Sequence, residues 1–453
     1  MLTYLLTALL TRLLGFDTAS LWYDEAVSQY RSSLPWALYL LDQSDYNGVN
    51  LWDVVLRPFA HGPAWMLRLP ALACSMLAVW LAWKIMGRLQ FTRSQRITAA
   101  VGIVLLPGLL WQAQDARYYA AVAALYLGAI WYALACRPLG LAACAGLLVY
   151  IHPTGAAYGL AALLIGWLGW MPFRRVALAT LISVAAWIPR LFTLIFSPSS
   201  TGDFWLMRTD ASWIAGQSVE AAFVGTLPKL LQYLALFGFA VIVICYLARV
   251  RTRSDVLVAA SLFVPALIMY VVSVIYQPVY FYRPIQPLCY SLCLFVALAV
   301  APGRRWVTWI GAGVAAAVLL AGYTAYNPAD RGGHIDRAAD VIRTHWQAGD
   351  RIVYVTPLVA FPFNVILPDL DHCLLNTPIG PNVGPNVITG YDYCTYTDLT
   401  GPGRVWLVWP REPAVEPSVH AALEDLTRGM VPVAVAVNWQ FAPIEIYLLE
   451  DER

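Results

Sequence analysis

Charge is scarce in this chain: of 453 residues only 29 are Lys or Arg and 27 are Asp or Glu. At 12% charged, 60% hydrophobic and a mean hydropathy of +0.62, it lies far from an average globular composition. Such a chain cannot hide its apolar surface in one aqueous core. A formal net charge of +2, with no basic run interleaved with aromatics, argues against a nucleic-acid partner. Internal repeats of solenoid period and low-complexity tracts are also missing. The N-terminal stretch MLTYLLTALLTRLLGF lacks a basic leader and a small-x-small cleavage site, and Arg12 interrupts its apolar run. It therefore reads as an uncleaved first span, Met1 to about Gly15. That is shorter than the ~20 residues usually needed to cross, which leaves room for tilt, extension towards Leu21 or further residues upstream.

Aromatics, by contrast, are plentiful. Nineteen Trp and 25 Tyr suit a chain that repeatedly crosses membrane interfaces. Further apolar stretches at 64–83, 97–113, 118–135, 139–151, 153–170, 176–196, 227–248, 256–276, 284–301 and 306–325 bring the expected spans to about eleven. One set of alternate loops carries Lys84, Arg88, Arg93, Arg96, Arg137, Arg174, Arg175, Arg249, Arg251, Arg253, Arg304 and Arg305, and is cytoplasmic by the positive-inside rule. The opposite set, including loops 17–68 and 197–226, carries Asp17, Asp24, Glu25, Asp42, Asp45, Asp53, Asp115, Asp203, Asp210 and Glu220. The N-terminus is thus expected inside and everything after about Tyr326 outside. Residues 1–326 form the expected membrane module.

From 327 to 453 the texture turns to mixed polar sequence that can fold in water. A helical pattern over His334–Gln347 precedes strand candidates at Arg351–Val355, Arg404–Trp409, Val431–Val437 and Ile444–Leu449, which predicts a small α/β domain. Residues 376–403, rich in Gly and Pro, read as loop. Six cysteines lie in or beside apolar spans and read as small hydrophobes. Cys373 and Cys394 alone share the outer, oxidising compartment, so a disulfide between them is expected rather than a metal site.

Four polar motifs fall at the expected outer rim. Directly after the first span comes Leu21-Trp22-Tyr23-Asp24-Glu25-Ala26, whose adjacent carboxylates are either catalytic or a helix N-cap. The turn Gln114-Asp115-Ala116-Arg117-Tyr118-Tyr119 offers an Arg whose planar fork suits a phosphate, with interfacial snorkelling as the bland alternative. His152, in Tyr150-Ile151-His152-Pro153-Thr154-Gly155, is either a hydrogen-bonded structural residue or a ligand. Tyr280-Phe281-Tyr282-Arg283-Pro284 adds Arg and Tyr donors outside the span that begins near Pro284. Their convergence on one face favours a shared site.

In order and spacing, Trp22-Tyr23-Asp24-Glu25-Ala26, Arg68-Leu69-Pro70-Ala71-Leu72, Gln114-Asp115-Ala116-Arg117-Tyr118-Tyr119 and His152-Pro153-Thr154 resemble the GT-C glycosyltransferases. Within these, the sequence is similar to the branch of protein O-mannosyltransferases and lipid A aminoarabinose transferases over roughly residues 1–300. The resemblance implies transfer of a sugar from a polyprenyl phosphate carrier at the outer face of a bacterial inner membrane, to a glycan, lipid or protein acceptor. It maps Asp24 to the catalytic carboxylate with Glu25 as its companion, and Arg117 and Arg283, with Tyr118 and Tyr282, to the carrier phosphate. Gln114, Asp115 and His152 would line the site. Two departures are plain: the family's Arg-Tyr pair reads Arg283-Pro284, and Gln43–His61 lacks a His-Pro-Pro segment.

Such a reaction needs a base for the acceptor hydroxyl and cations for the departing phosphate. No cofactor is required, although Asp115 and His152 could hold a divalent ion. A transporter or lipid-sugar flippase is the alternative from another class, but it would place ionisable residues near span centres and interrupt spans in corresponding halves. An oligosaccharide ligase using a diphosphate-linked donor is the alternative within the enzyme class.

Overall fold

The computed structural model describes residues 1–41, 50–196, 211–225, 227–247, 250, 252–275, 279–299, 316–327, 335–375, 392–395, 399, 403–410, 417–436 and 444–449. Asp42, Asp45, Asp203, Asp210, Arg249, Arg251, Arg304 and Arg305, with much of the stretches expected at 306–325 and 376–403, lie outside the described residues.

The first helix, α1 (Leu2–Leu13), is followed by three helices in the segment expected as a loop: α2 (Tyr23–Ser33), α3 (Trp36–Leu41) and α4 (Leu51–Leu56). Next come α5 (Ala64–Arg88), α6 (Arg93–Leu105), α7 (Pro107–Ala113), α8 (Tyr119–Leu134), α9 (Pro138–Ile151), α10 (Gly155–Ile165) and α11 (Phe173–Phe196). The second expected loop also contains a helix, α12 (Ala211–Phe223). Beyond it lie α13 (Lys229–Leu247), α14 (Arg253–Ile275), the single turn α15 (Tyr282–Ile285), α16 (Cys289–Ala299) and α17 (Ala316–Ala325).

Among the described residues three helices are long and apolar enough to cross a membrane: α5, α11 as far as Phe192, and α14. The 25 residues of α5 alone reach about 37 Å at 1.5 Å per residue. Helices α1, α8, α9, α10, α13 and α17 are apolar but shorter, so length and composition alone do not return eleven spans. Helix α8 is buried almost all round at the bundle centre, whereas α11 turns Phe173, Leu181 and Phe192 outward. That pairing of apolar core and apolar exterior is the pattern of a membrane bundle.

The stretch expected as one span at 97–113 is broken: α6 and α7 meet at 56°. Pro107 is the cause, because its ring pushes Leu106 out of the helical region, to φ −67° and ψ 118°. Pro107 also has no N–H to return to the Ile103 carbonyl four residues back. Arg12 takes that place, with Nη2 donating to Ile103 O (3.2 Å), Nε to Ser75 Oγ (2.9 Å) and Nη1 to Ala8 O (3.1 Å). The fully buried charge that interrupts the first span thereby clamps the break in another helix.

The C-terminal segment runs α18 (Ile335–His345), β1 (Arg351–Tyr354), α19 (Pro357–Ile366), β2 (His372–Leu375), β3 (Tyr393–Cys394), β4 (Val405–Pro410), α20 (Pro417–Leu426), β5 (Ala434–Ala436) and β6 (Ile444–Leu449). Sheet order is β3-β2-β1-β4-β6-β5, with the first four strands parallel, β6 antiparallel to β4, and β5 antiparallel to β6. The central strands read as continuous apolar runs because both their faces are covered; Ile352–Val355 and Trp406–Trp409 are fully buried. Strand β3 falls inside the stretch read as loop, and α19, β2 and α20 were not anticipated. Cys373 of β2 and Cys394 of β3 form a disulfide. Phe361 of α19 packs its ring on Tyr23 (6.0 Å) and Tyr30 (5.0 Å), joining the C-terminal segment to α2.

Candidate active site

Helix α2 starts from an extended Trp22 (φ −88°, ψ 171°), which is its N-cap residue. Asp24 therefore lies inside the first turn and not at the cap. There, with Glu25, it faces the positive end of the helix dipole. Consecutive helical side chains diverge by about 100°, so the two carboxylates meet different neighbours.

Glu25 is fully buried. Its oxygens accept from Arg68 Nε (2.8 Å) and Nη2 (2.7 Å), and Oε1 also accepts from the Ala116 N–H (2.8 Å). Arg68 further donates to the carbonyls of Phe16, Ala19 and Ser20 at 3.0–3.3 Å. This node ties α2, the segment after α1, the head of α5 and the Asp115–Arg117 turn together. Glu25, expected beside Asp24 in the chemistry, is thus engaged away from it as a structural clamp. Its partner Arg68 is a residue whose role motif reading missed.

Asp24 stands on the accessible side. Its Oδ2 accepts from Arg283 Nη1 at 2.5 Å, and the two side chains keep 16% and 11% exposure. Arg283 Nε donates to the Tyr282 hydroxyl (2.7 Å), and its guanidinium lies 4.2 Å from the centre of the Trp22 ring. Burial raises the Tyr282 phenol above its ordinary range, which keeps its oxygen neutral as an acceptor. The Tyr282 N–H in turn donates to Gln217 Oε1 of α12 (2.8 Å), and Tyr158 donates to the Pro284 carbonyl.

Arg117 reaches the same place from the other turn. Nη1 donates to Ser28 Oγ (2.8 Å) and to the Asp24 carbonyl (3.3 Å), and Nη2 to the Tyr118 hydroxyl (3.4 Å). Tyr118 stacks on His152 at 4.2 Å, and its hydroxyl lies 3.4 Å from that of Tyr119. His152 Nδ1 sits 2.6 Å from Thr154 Oγ1 and accepts the Thr154 N–H at 3.3 Å. Asp115 Oδ1 accepts from the Trp22 indole N–H (3.1 Å). Gln114 points elsewhere than expected: its amide donates to the carbonyls of Arg12 and Leu14, and its oxygen accepts from Tyr326. It closes the end of α1 and does not line the site.

Asp24, Arg117, Arg283, Tyr118, Tyr282, Asp115 and His152 are therefore brought into one cluster, in which Arg283 meets the Asp24 carboxylate and Arg117 the Asp24 carbonyl. Among the described residues no group of three or more His, Cys, Asp or Glu is placed to hold a metal ion. The arrangement can hold an oxyanion on planar guanidinium forks beside a carboxylate able to take a proton.

No family model matches the sequence, and no curated protein matches it. Solved structures do. ArnT from Cupriavidus metallidurans in the apo state superposes at a TM-score of 0.58 and 13% identity, over 98% of this chain and 97% of that one. The chain has the GT-C fold. The same ArnT bound to undecaprenyl phosphate gives 0.54 at 13% identity, with 98% and 97% covered. The arabinofuranosyltransferase AftD from mycobacteria gives 0.48 at 16% identity, covering 92% of this chain and 38% of its own, too slight a likeness to argue from. At 13% identity the ArnT likeness extends to architecture, which here runs through both the helical part and the C-terminal sheet.

Proposed function

We propose that this protein is a glycosyltransferase that moves a sugar from a polyprenyl phosphate, of undecaprenyl or decaprenyl type, to an acceptor hydroxyl at the outer face of a bacterial inner membrane. The observation that carries this reading is the pairing of the part-exposed Asp24 carboxylate with Arg283, with Arg117 held by Ser28 one turn further along α2. The fold it shares with ArnT, a protein solved with undecaprenyl phosphate bound, supports the choice of donor. In this reading Arg283 and Arg117 bind the donor phosphate, and Tyr282 and Tyr118 orient them. Asp24 takes the proton from the acceptor hydroxyl. The acceptor oxygen forms its bond to the anomeric carbon as the bond from that carbon to the phosphate oxygen breaks. The electron pair leaves on the carrier phosphate and the anomeric centre inverts. No metal is needed, because the leaving group is already an anion that two guanidinium groups neutralise.

The resting pair has a further consequence for order. A donor phosphate competes with Asp24 for Arg283, so donor entry releases the carboxylate for the acceptor. The N-terminus is cytoplasmic in this reading and residues 327–453 form an extracytoplasmic domain, in keeping with the Cys373–Cys394 disulfide, which belongs in an oxidising compartment.

The test is Asp24→Asn in purified protein supplied with polyprenyl-phosphate-linked sugar and acceptor membranes. Turnover is expected to fall roughly a hundredfold to ten-thousandfold. Donor binding should be kept or tightened, since the competitor for Arg283 has lost its charge. Near-normal transfer by the Asn variant would overturn the assignment.

A further inference from the structure

We propose that Trp22 is a positioning residue that fixes the plane of the Arg283 guanidinium, and that Asp115 acts on Arg283 through this indole. The proposal rests on the reading of Arg283 as a donor-phosphate ligand. Trp22 is 2% exposed, yet it has two specific polar contacts on different parts of its ring system. The face lies under Arg283 at 4.2 Å, and the Nε1–H donates to Asp115 Oδ1 at 3.1 Å. An edge-to-face contact with Trp111, at 6.5 Å and 61°, packs against the same indole.

The need for such a platform follows from the chemistry of the cation. A guanidinium recognises phosphate through two parallel N–H bonds lying in its own plane, so the orientation of that plane decides whether the fork meets both oxygens. Arg283 is held at Nε by Tyr282, the preceding residue, and at Nη1 by Asp24. When a phosphate displaces Asp24, the second of these restraints is gone. The ring of Trp22 then remains, its centre 4.2 Å from the guanidinium carbon and nearer than that of Tyr282 at 5.2 Å. A surface can orient a cation only if it does not itself rotate, and the hydrogen bond to Asp115 supplies that fixity. Asp115 thereby gains a role apart from phosphate binding or metal ligation. It links the Gln114–Tyr119 turn to Arg283, although the two are 168 residues apart in sequence (283 − 115).

The experiment titrates purified full-length protein with undecaprenyl phosphate and compares Arg283→Ala, Trp22→Leu, Trp22→Phe, Asp115→Ala and Asp115→Asn, with the unfolding midpoint recorded for each. Arg283→Ala should lose binding. Trp22→Leu and Asp115→Ala should weaken it roughly fivefold to thirtyfold, the scale between an exposed and a desolvated cation–π contact. Trp22→Phe keeps a ring face without the N–H and should fall between. Asp115→Asn still presents Oδ1 to the indole and should bind like the wild type, a rescue that general destabilisation would not produce. If Trp22→Leu fails to fold, the Phe variant and the Asp115 pair decide. Loss in Arg283→Ala with unchanged binding in Trp22→Leu, Trp22→Phe and Asp115→Ala would overturn the positioning role and leave the phosphate assignment standing. Asn as weak as Ala at 115 would overturn the part given to Asp115. Unchanged binding in Arg283→Ala would instead remove the functional reading on which the proposal stands.

Discussion

Two adjacent carboxylates at the start of α2 have separate fates because a helix turns about 100° between them. Asp24 meets Arg283 at the accessible edge, and Glu25 meets Arg68 in the interior. Residue type and position made Asp24, Arg117 and Arg283 visible in the sequence, since charged groups beside apolar spans are few. The partnership of Glu25 with Arg68 was not visible, because nothing local links a loop carboxylate to a cation 43 residues on. Their burial sets an expectation for Glu25→Gln. Removing one partner of a fully buried ion pair strands the other, and should cost about 3–5 kcal/mol of stability. Its unfolding midpoint should drop well below that of Asp24→Asn, whose ion pair is part-exposed. Equal midpoints would refute the clamp.

A second expectation at this scale concerns Glu220 of α12, whose carboxyl is raised above its ordinary value by burial, with the Gly225 N–H opposing the shift. The folded state then binds the proton more tightly than the unfolded chain does. This contribution to stability is fully present below the ordinary carboxyl range and is lost as pH rises through the raised value. Glu220→Gln should flatten that part of the stability profile and melt higher than wild type at neutral pH. A steeper profile in the variant would contradict the burial argument.

At the level of elements, the bend between α6 and α7 decides where the Gln114–Tyr119 turn emerges. The Leu106-Pro107-Gly108 run carries the signal for it, but in an unbroken apolar stretch hydropathy outweighs one proline, and the stretch reads as a single span. Gly108 shows why the break is followed by a residue without a side chain: a Cβ there would stand 2.0 Å from the Ala221 carbonyl oxygen of α12. That contact is backbone and cannot swing aside. Gly108→Ala must therefore push α12 away, and α12 carries the Gln217 that receives the Tyr282 N–H. Donor binding is expected to weaken along with stability, because the Tyr282–Arg283 turn loses its support. A Gly108→Ala protein with wild-type melting and wild-type affinity for undecaprenyl phosphate would show that α12 does not hold the turn.

Across the whole molecule, the sequence changes from apolar runs to mixed polar texture after Asn327, and all the strands among the described residues lie beyond that change. The long apolar runs of β1 and β4 announced themselves, and β6 fell where expected. The two-residue strand β3 did not, since its pairing with β2 is set by tertiary contact and not by any pattern in Tyr393-Cys394. Least legible was the contact between the two parts. Phe361 of α19, 2% exposed, covers Tyr23 and Tyr30 on the helix that carries Asp24. Aromatic burial of this kind is worth more than its area alone, and truncating a buried Phe costs about 3–5 kcal/mol. Whether that loss is felt in the sheet or at the docking surface distinguishes a core residue from a coupling one. If Phe361 serves to hold α2, Phe361→Ala should speed amide hydrogen exchange across Tyr23–Ser33 while the strands β1 and β4 keep their protection. Turnover should fall with it, through looser placement of Asp24 against Arg283, and undecaprenyl phosphate should still bind to the arginines. Unchanged exchange in α2 together with opened β1 and β4 would mean that Phe361 belongs to the core of the C-terminal segment and that α2 stands without its help.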